Sequence, residues 1–262
     1  MEPIVKADEL FDLSGEVALV TGASSGLGAR FARVLAAHGA KVAMAARRRD
    51  RLAELADAIA AEGGAALPVT FDVRQSDDAG ALFKEVEAAF GSVTILVNNA
   101  GIVKSAPALE TGPDAWREVI DVNLNAVWFL AQEAARRMIA AGRAGTIINI
   151  ASLLSLRISK GTAAYNVAKA GVQHLTRQLA VELARHGIRV NALAPGYVVT
   201  EMTEDFLASP GGQAMLKSIP QRRFAQSADL DGAMLLLASA KASGFMTGAT
   251  VVVDGGQMWS LA

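Results

Sequence analysis

The sequence predicts an α/β fold in which a doubly wound, seven-stranded parallel sheet carries helices on both faces. Short apolar runs rich in Val, Ile and Leu alternate with longer Ala/Leu-rich segments at the helical period, the pattern of repeated β-α units. A glycine-rich turn follows the first of these runs directly and opens the first long helical segment. The 262 residues, 52% hydrophobic and 19% charged, contain no Pro/Ser-rich linker, internal repeat or low-complexity tract, so residues 1–262 are expected to form a single domain.

Strands are expected at 17–21, 41–45, 67–72, 93–98, 146–151, 188–194 and 250–254, each long enough for a strand and too short for a stable helix. Helices are expected at 27–37, 50–62, 77–90, 114–141, 163–185 and 228–238. One stands between each pair of consecutive strands, as right-handed crossovers in a parallel sheet require. His38-Gly39 and His186-Gly187 read as C-terminal caps of two of these helices, and His174 is the only other histidine, so no metal centre is expected. Trp116, Trp128 and Phe129 lie on the 114–141 helix as core or subunit-contact residues.

Twenty-five Lys and Arg balance 26 Asp and Glu, a net charge of −1, which leaves no basic excess for a nucleic-acid backbone. The absence of cysteine excludes disulfides, thiolate nucleophiles and Cys-ligated zinc. The N-terminal residues lack the basic-then-apolar order of a signal peptide, and no apolar run reaches the ~20 residues of a membrane span. A soluble cytoplasmic protein, with neither membrane nor nucleic acid as partner, is therefore expected.

Thr21-Gly22-Ala23-Ser24-Ser25-Gly26-Leu27-Gly28 is a strand-to-helix turn whose glycines let backbone approach a pyrophosphate at the positive end of a helix. No Gly-Lys-Ser/Thr follows, so it is not a P-loop. Tyr165 and Lys169, four residues apart, share one helix face, and an ammonium beside a phenol is expected to draw its pKa from ~10 toward neutrality. A tyrosine so tuned exchanges protons at cellular pH. Ser152 stands just past the fifth strand, where ligands of open α/β sheets bind, with Ser155 as the competing hydroxyl. Asn98 and Asn99 end the fourth strand, where satisfying strand-end backbone and lining a ligand site are equally weighted roles.

In their order and spacing, Thr21-Gly22-x3-Gly26-x-Gly28, Asn98-Asn99-Ala100-Gly101, Ser152, Tyr165-x3-Lys169 and Pro195-Gly196 make the chain resemble the short-chain dehydrogenase/reductase family from Leu13 to Gly256. The resemblance implies a Rossmann-like fold that binds a nicotinamide dinucleotide. It implies a catalytic set of Asn123, Ser152, Tyr165 and Lys169, the serine thirteen residues before the tyrosine being Ser152. Asn123, in Asp121-Val122-Asn123-Leu124, is the implied support of a proton-relay water, rather than nearby Asn125. The implied cofactor contacts are Gly22, Ser24, Ser25, Gly26, Leu27 and Gly28 in the turn, Asp72 and Val73 beside the adenine, Asn99, Tyr165, Lys169, and Val198 and Thr200 near the carboxamide. The family's common assembly implies a homotetramer, for which the long helices and the Met258-Trp259 end offer apolar surface.

Cofactor choice rests on Met44-Ala45-Ala46-Arg47-Arg48-Arg49. Ala46 offers no carboxylate to a ribose 2′-hydroxyl, while the Arg47 guanidinium suits a 2′-phosphate, so NADP(H) is expected to be preferred with NAD(H) as the alternative. Arg48 and Arg49 are expected to solvate the loop, and Ser25 stands where many NADP-preferring relatives carry a basic residue. Residues 197–224, with apolar Phe206, Leu207, Met215 and Leu216 and a flexible break at Ser209-Pro210-Gly211-Gly212, are the expected substrate lid. Arg157 and Lys104 are candidate partners of an anionic substrate, with plain solvation the commoner role. The expected function is an NADP(H)-dependent oxidoreductase that interconverts a ketone or aldehyde with a secondary or primary alcohol, Tyr165 acting as general acid/base. The alternatives are an NAD-linked dehydrogenase of a sugar or hydroxy acid and a non-catalytic dinucleotide-sensing protein.

Overall fold

The structure, a computed structural model, describes residues 4–260. Seven parallel strands form one sheet: β1 Val17–Thr21, β2 Lys41–Ala46, β3 Ala65–Thr70, β4 Ile95–Asn98, β5 Gly145–Ile150, β6 Ile188–Pro195 and β7 Thr250–Val253, in the order β3-β2-β1-β4-β5-β6-β7. The chain winds outward from β1 to β3, then crosses back to β4 on the other side of β1. The strand order therefore reverses between β1 and β4, and a crevice opens there at the carboxyl ends of the strands.

The helices are α1 Ala7–Leu10, α2 Gly26–Ala37, α3 Arg49–Ala61, α4 Gly80–Phe90, α5 Pro113–Ile120, α6 Ala126–Ala140, α7 Ala163–Leu183, α8 Glu204–Ala208, α9 Pro210–Leu216, α10 Asp231–Ala238 and α11 Ala240–Ser243. Alternate strand residues feed two cores. Ala18 and Val20 pack with Phe31 and Leu35 of α2, Leu52 of α3 and Met234 of α10. Val17 and Leu19 pack with Phe83 of α4, Leu130 of α6 and Leu179 of α7. Burial on both faces explains why β1 reads as an apolar run without alternation, while β6, buried along its whole length, also takes Arg189 and Asn191 inside. The doubly wound seven-stranded sheet is the predicted fold class. No helix among the described residues is long and apolar enough to cross a membrane.

Three predicted boundaries differ for identifiable reasons. β3 ends at Thr70, not at residue 72, because the Asp72 side chain accepts from the Arg74 N–H (3.0 Å) and caps a 3-10 turn, Val73–Asp78. That turn takes up the predicted start of the 77–90 helix, which begins at Gly80. The single 114–141 helix is two helices separated by a π-turn at Asp121–Asn125, the segment that carries Asn123. Trp116 and Phe129 stand partly in solvent, at 39% and 36% exposure, while Trp128 packs against the α4/α6/α7 core.

Candidate active site

The crevice at the β1/β4 reversal is a cleft of about 470 Å³. One wall is the turn after β1. Gly22 has φ +65°, and a Cβ there would lie 2.8 Å from Ala100 Cα, so only glycine lets the turn approach the end of β4. A Cβ on Gly28 would meet the Gly22 carbonyl at 2.4 Å. Gly28 thus serves the packing of α2 against the turn, behind the cleft surface that Gly22, Ser24, Ser25, Gly26 and Leu27 form. Asn99 donates from Nδ2 to the Thr21 and Gly22 carbonyls (2.9 and 3.3 Å), and the Thr21 hydroxyl accepts from the Asn99 and Ala100 N–H groups (3.0 and 3.1 Å). Asn99 therefore braces the turn and also borders the cleft, whereas Asn98 is buried and donates to Asn149 Oδ1 at 2.9 Å. The Ser25 N-cap is extended, and its side chain caps none of the first-turn N–H groups of α2, which leaves them for an anion.

Ser152, Tyr165 and Lys169 border the same cleft from β5 and α7. The Ser152 hydroxyl oxygen accepts from the Leu154 N–H at 3.1 Å. The Ser155 hydroxyl instead donates to the Ser152 carbonyl at 2.6 Å, closing the 3-10 turn Leu153–Ser155, and does not border the cleft. Lys169 is 3% exposed; its Nζ donates to the Ile150 carbonyl at 2.7 Å and lies 5.6 Å from the Tyr165 ring centre. Burial draws the Lys169 ammonium down to about 8. The expected lowering of the Tyr165 phenol is not what the packing produces. Burial pushes it up, a hydrogen bond with the Ser152 side chain acts in the opposite sense, and the neighbouring Tyr197 phenol raises it further.

Asn123 is fully buried behind the cleft. Its Nδ2 donates to the Ile102 and Val119 carbonyls (2.9 Å each), and its Oδ1 accepts from the Ile102 N–H at 3.2 Å. A Cβ on Gly101 would lie 2.7 Å from Asn123 Oδ1 and 3.7 Å from Lys169 Nζ, so the loop after β4 passes between the two side chains. Asn125 is on the surface, donating to Asp121 at 2.7 Å.

At the far end, Ala46, Arg47, Asp72 and Val73 line the cleft. Arg48, expected only to solvate the loop, lines it too. Its Nε donates to Ser24 Oγ (3.1 Å) and its Nη2 to Ser25 Oγ (2.5 Å), which brings a guanidinium over Ser25, where the chain lacks a basic residue of its own. The hydrogen bond from the Arg74 side chain holds the Asp72 carboxyl below the usual carboxylate range. Two other expectations are corrected. Lys104 pairs with Glu118, and Arg157 donates from Nη1 to the Gln257, Met258 and Ser260 carbonyls (3.1, 2.9 and 2.7 Å), so both cations are engaged within the chain.

Val198 and Thr200 border the cleft beyond β6, and α8 and α9 follow. The stretch Ser209-Pro210-Gly211-Gly212 is a helix start, not a flexible break: Ser209 Oγ accepts from the Gly212 N–H at 3.2 Å, and Pro210 occupies the first turn. Tyr197, unassigned by the sequence reading, is hydrogen-bonded with the Ser159 side chain and packs on Phe206 of α8 at 5.8 Å between ring centres. Of the chain's two tyrosines, Tyr165 lines the cleft, and Tyr197 lines a neighbouring pocket close enough to act on the Tyr165 phenol.

A family model described as Enoyl-(Acyl carrier protein) reductase matches residues 22–258. The chain belongs to the short-chain dehydrogenase/reductase family. It is 41% identical over 254 residues to a gluconate 5-dehydrogenase of Gluconobacter oxydans, covering 97% of this chain and 98% of that one. To a 3-oxoacyl-[acyl-carrier-protein] reductase of Synechocystis it is 39% identical over 247 residues, covering 94% and 98%. The solved gluconate 5-dehydrogenase from Burkholderia cenocepacia, in complex with NADP and tartrate, superposes with a TM-score of 0.93 at 39% identity, covering 98% of this chain and all of that one. As a short-chain dehydrogenase/reductase, the chain is an NAD(P)-dependent oxidoreductase acting on CH–OH donors. Its cleft fits the dinucleotide: side-chain-free glycines approach the end of β4, uncapped N–H groups open α2, and the guanidinium groups of Arg47 and Arg48, with Arg74 beside Asp72, line the far end.

Proposed function

We propose that the chain is an NADP(H)-dependent carbonyl reductase or alcohol dehydrogenase that interconverts a ketone or aldehyde with its alcohol. The observation that carries this reading is the convergence of Ser152, Tyr165 and Lys169 on one cleft whose other wall is the glycine turn. When bound, the cofactor supplies or accepts the hydride. Ser152 orients the carbonyl oxygen, and the Tyr165 hydroxyl gives it a proton or takes one back. Lys169, fixed on Ile150, holds positive charge behind the phenol, and Asn123 holds the 101–102 loop from which a proton relay continues. The glycine turn, Leu27 and Asn99 hold the pyrophosphate side, Asp72 and Val73 the adenine, Arg47 the 2′-phosphate, and Val198 and Thr200 the carboxamide end.

The same reading makes residues 197–224 a lid over the substrate and the working form a homotetramer. A cytoplasmic location follows from dependence on a dinucleotide that cells keep inside. Tyr197, held by Ser159 beside Tyr165, supports a hydroxyl-rich sugar-acid ketone as substrate. Initial rates with NADPH and NADH on 5-oxo sugar acids, 3-oxoacyl thioesters and simple ketones test the proposal. Turnover of at least one ketone with NADPH is expected. Binding of NADPH with no turnover on any class would favour a sensing role and overturn the enzymatic one.

A further inference from the structure

One carboxylate ties the two walls of the adenosine end. Glu201, one residue past Thr200, pairs with Arg48 (Nη1 to Oε2, 3.3 Å) and with Arg51 of α3 (Nη1 to Oε1, 2.5 Å). The same Arg48 guanidinium holds Ser24 and Ser25 of the glycine turn. Arg47, beside it on the cleft wall, has no hydrogen bond or ion pair from its side chain among the described residues. The other acidic side chains lining the cleft are matched elsewhere, Asp72 with Arg74 and Glu118 with Lys104. Glu201 is thus the anion that the chain itself presents to Arg48.

We propose that Glu201 is a specificity-determining residue whose carboxylate competes with the 2′-phosphate of NADP(H) for Arg48. This inference rests on the cofactor reading and extends it to a residue on the opposite wall. The phosphate carries close to two negative charges and would share one guanidinium with a carboxylate, so it must displace Glu201 onto Arg51. The 2′-hydroxyl of NAD(H) is neutral and leaves the Arg48–Glu201 pair intact. Arg47 and Arg48 attract the phosphate, and Glu201 limits how strongly they do so. Both side chains of the pair are about half exposed, at 46% and 52%, so solvent screening keeps the effect to a few-fold.

Isothermal titration of the full-length protein with NADP⁺ and with NAD⁺ tests this on the wild type, Glu201→Gln, Arg48→Met and the double variant. Glu201→Gln is expected to tighten NADP⁺ three- to tenfold and to change NAD⁺ less than twofold, with the gain absent when Arg48 is already Met. NAD⁺ affinity and the melting temperature report whether each variant is folded. Weaker NADP⁺ binding by Glu201→Gln would mean that the carboxylate positions Arg48 for the phosphate, and would overturn the competition. Equal effects on both cofactors, no effect on either, or a gain that survives Arg48→Met would overturn it as well. Failure of the wild type to bind NADP⁺ at all is a separate result, and it would bring down the cofactor reading itself.

Discussion

Lys169 donates its Nζ to the carbonyl of Ile150 at 2.7 Å, so the helix that carries Tyr165 is pinned to the strand that ends just before Ser152. With the hydrogen bond from Asn149 Nδ2 of the same strand to Thr176 Oγ1 of that helix (2.9 Å), this contact helps to set the spacing of Tyr165 and Ser152. It also places an ammonium where burial opposes its charge.

The buried ammonium gives a stability signature in pH. The Lys169 pKa is lowered in the folded protein to about 8 from 10.5, so between these values the unfolded chain binds more protons and stability rises with pH. From pH 8 to 9.5 the unfolding free energy of the wild type is expected to rise by about 1–2 kcal/mol relative to Lys169→Met. The raised Tyr165 pKa acts with opposite sign, but only as pH passes 10, the ordinary value for the phenol, and so stays outside this window. Urea unfolding at several pH values measures the difference, and parallel slopes for the two proteins would exclude a lysine of depressed pKa.

Asn123 is expected to be costly to remove. Asn123→Ala strips partners from the Ile102 N–H and from the Ile102 and Val119 carbonyls in a buried setting. An unpaired buried group costs roughly 1–3 kcal/mol, and with partial relaxation the loss should total about 2–4 kcal/mol in chemical unfolding. A loss under 1 kcal/mol would show that the π-turn holds without it.

The sheet, Ser152 and the Tyr165/Lys169 pair were legible in the sequence because period and spacing are local properties. The π-turn was not, since the 114–141 segment has an unbroken helical pattern and the irregularity accompanies Asn123 bonding to Ile102, 21 residues away. Arg47 and Arg48 were indistinguishable as letters. Which one reaches Ser24 and Ser25 depends on the backbone of Arg48, the N-cap of α3 at φ −88°, ψ 89°. Spacing reveals the charge beside the Tyr165 phenol but not how deeply both groups are buried, and burial sets the direction of both shifts.

Cofactor preference should respond to the end of β2. With Ala46 offering no acceptor and Arg47 a guanidinium, kcat/KM is expected to favour NADPH by about ten- to a hundredfold. Ala46→Asp with Arg47→Ser should move the ratio toward NADH, chiefly through KM, since these side chains stand far from the hydride. Steady-state kinetics with both cofactors give the ratio, and an unchanged ratio would show that Arg47 does not read the phosphate.

Assembly is testable by mass. Trp259 at 80% exposure and Val181 at 80% leave apolar surface of the kind that subunits cover. Light scattering at micromolar concentration should report about four times the 27.2 kDa chain. A mass of one chain would exclude the tetramer.

In the proposed reaction Tyr165 transfers the proton of an NADPH-dependent reduction. Its most direct test is kcat for Tyr165→Phe beside the wild type on whichever ketone the panel identifies, with NADPH affinity measured in parallel. Loss of 10²- to 10⁴-fold in kcat with NADPH affinity within a few-fold of wild type is the expected result. Retention of more than about a tenth of wild-type kcat would contradict the assignment.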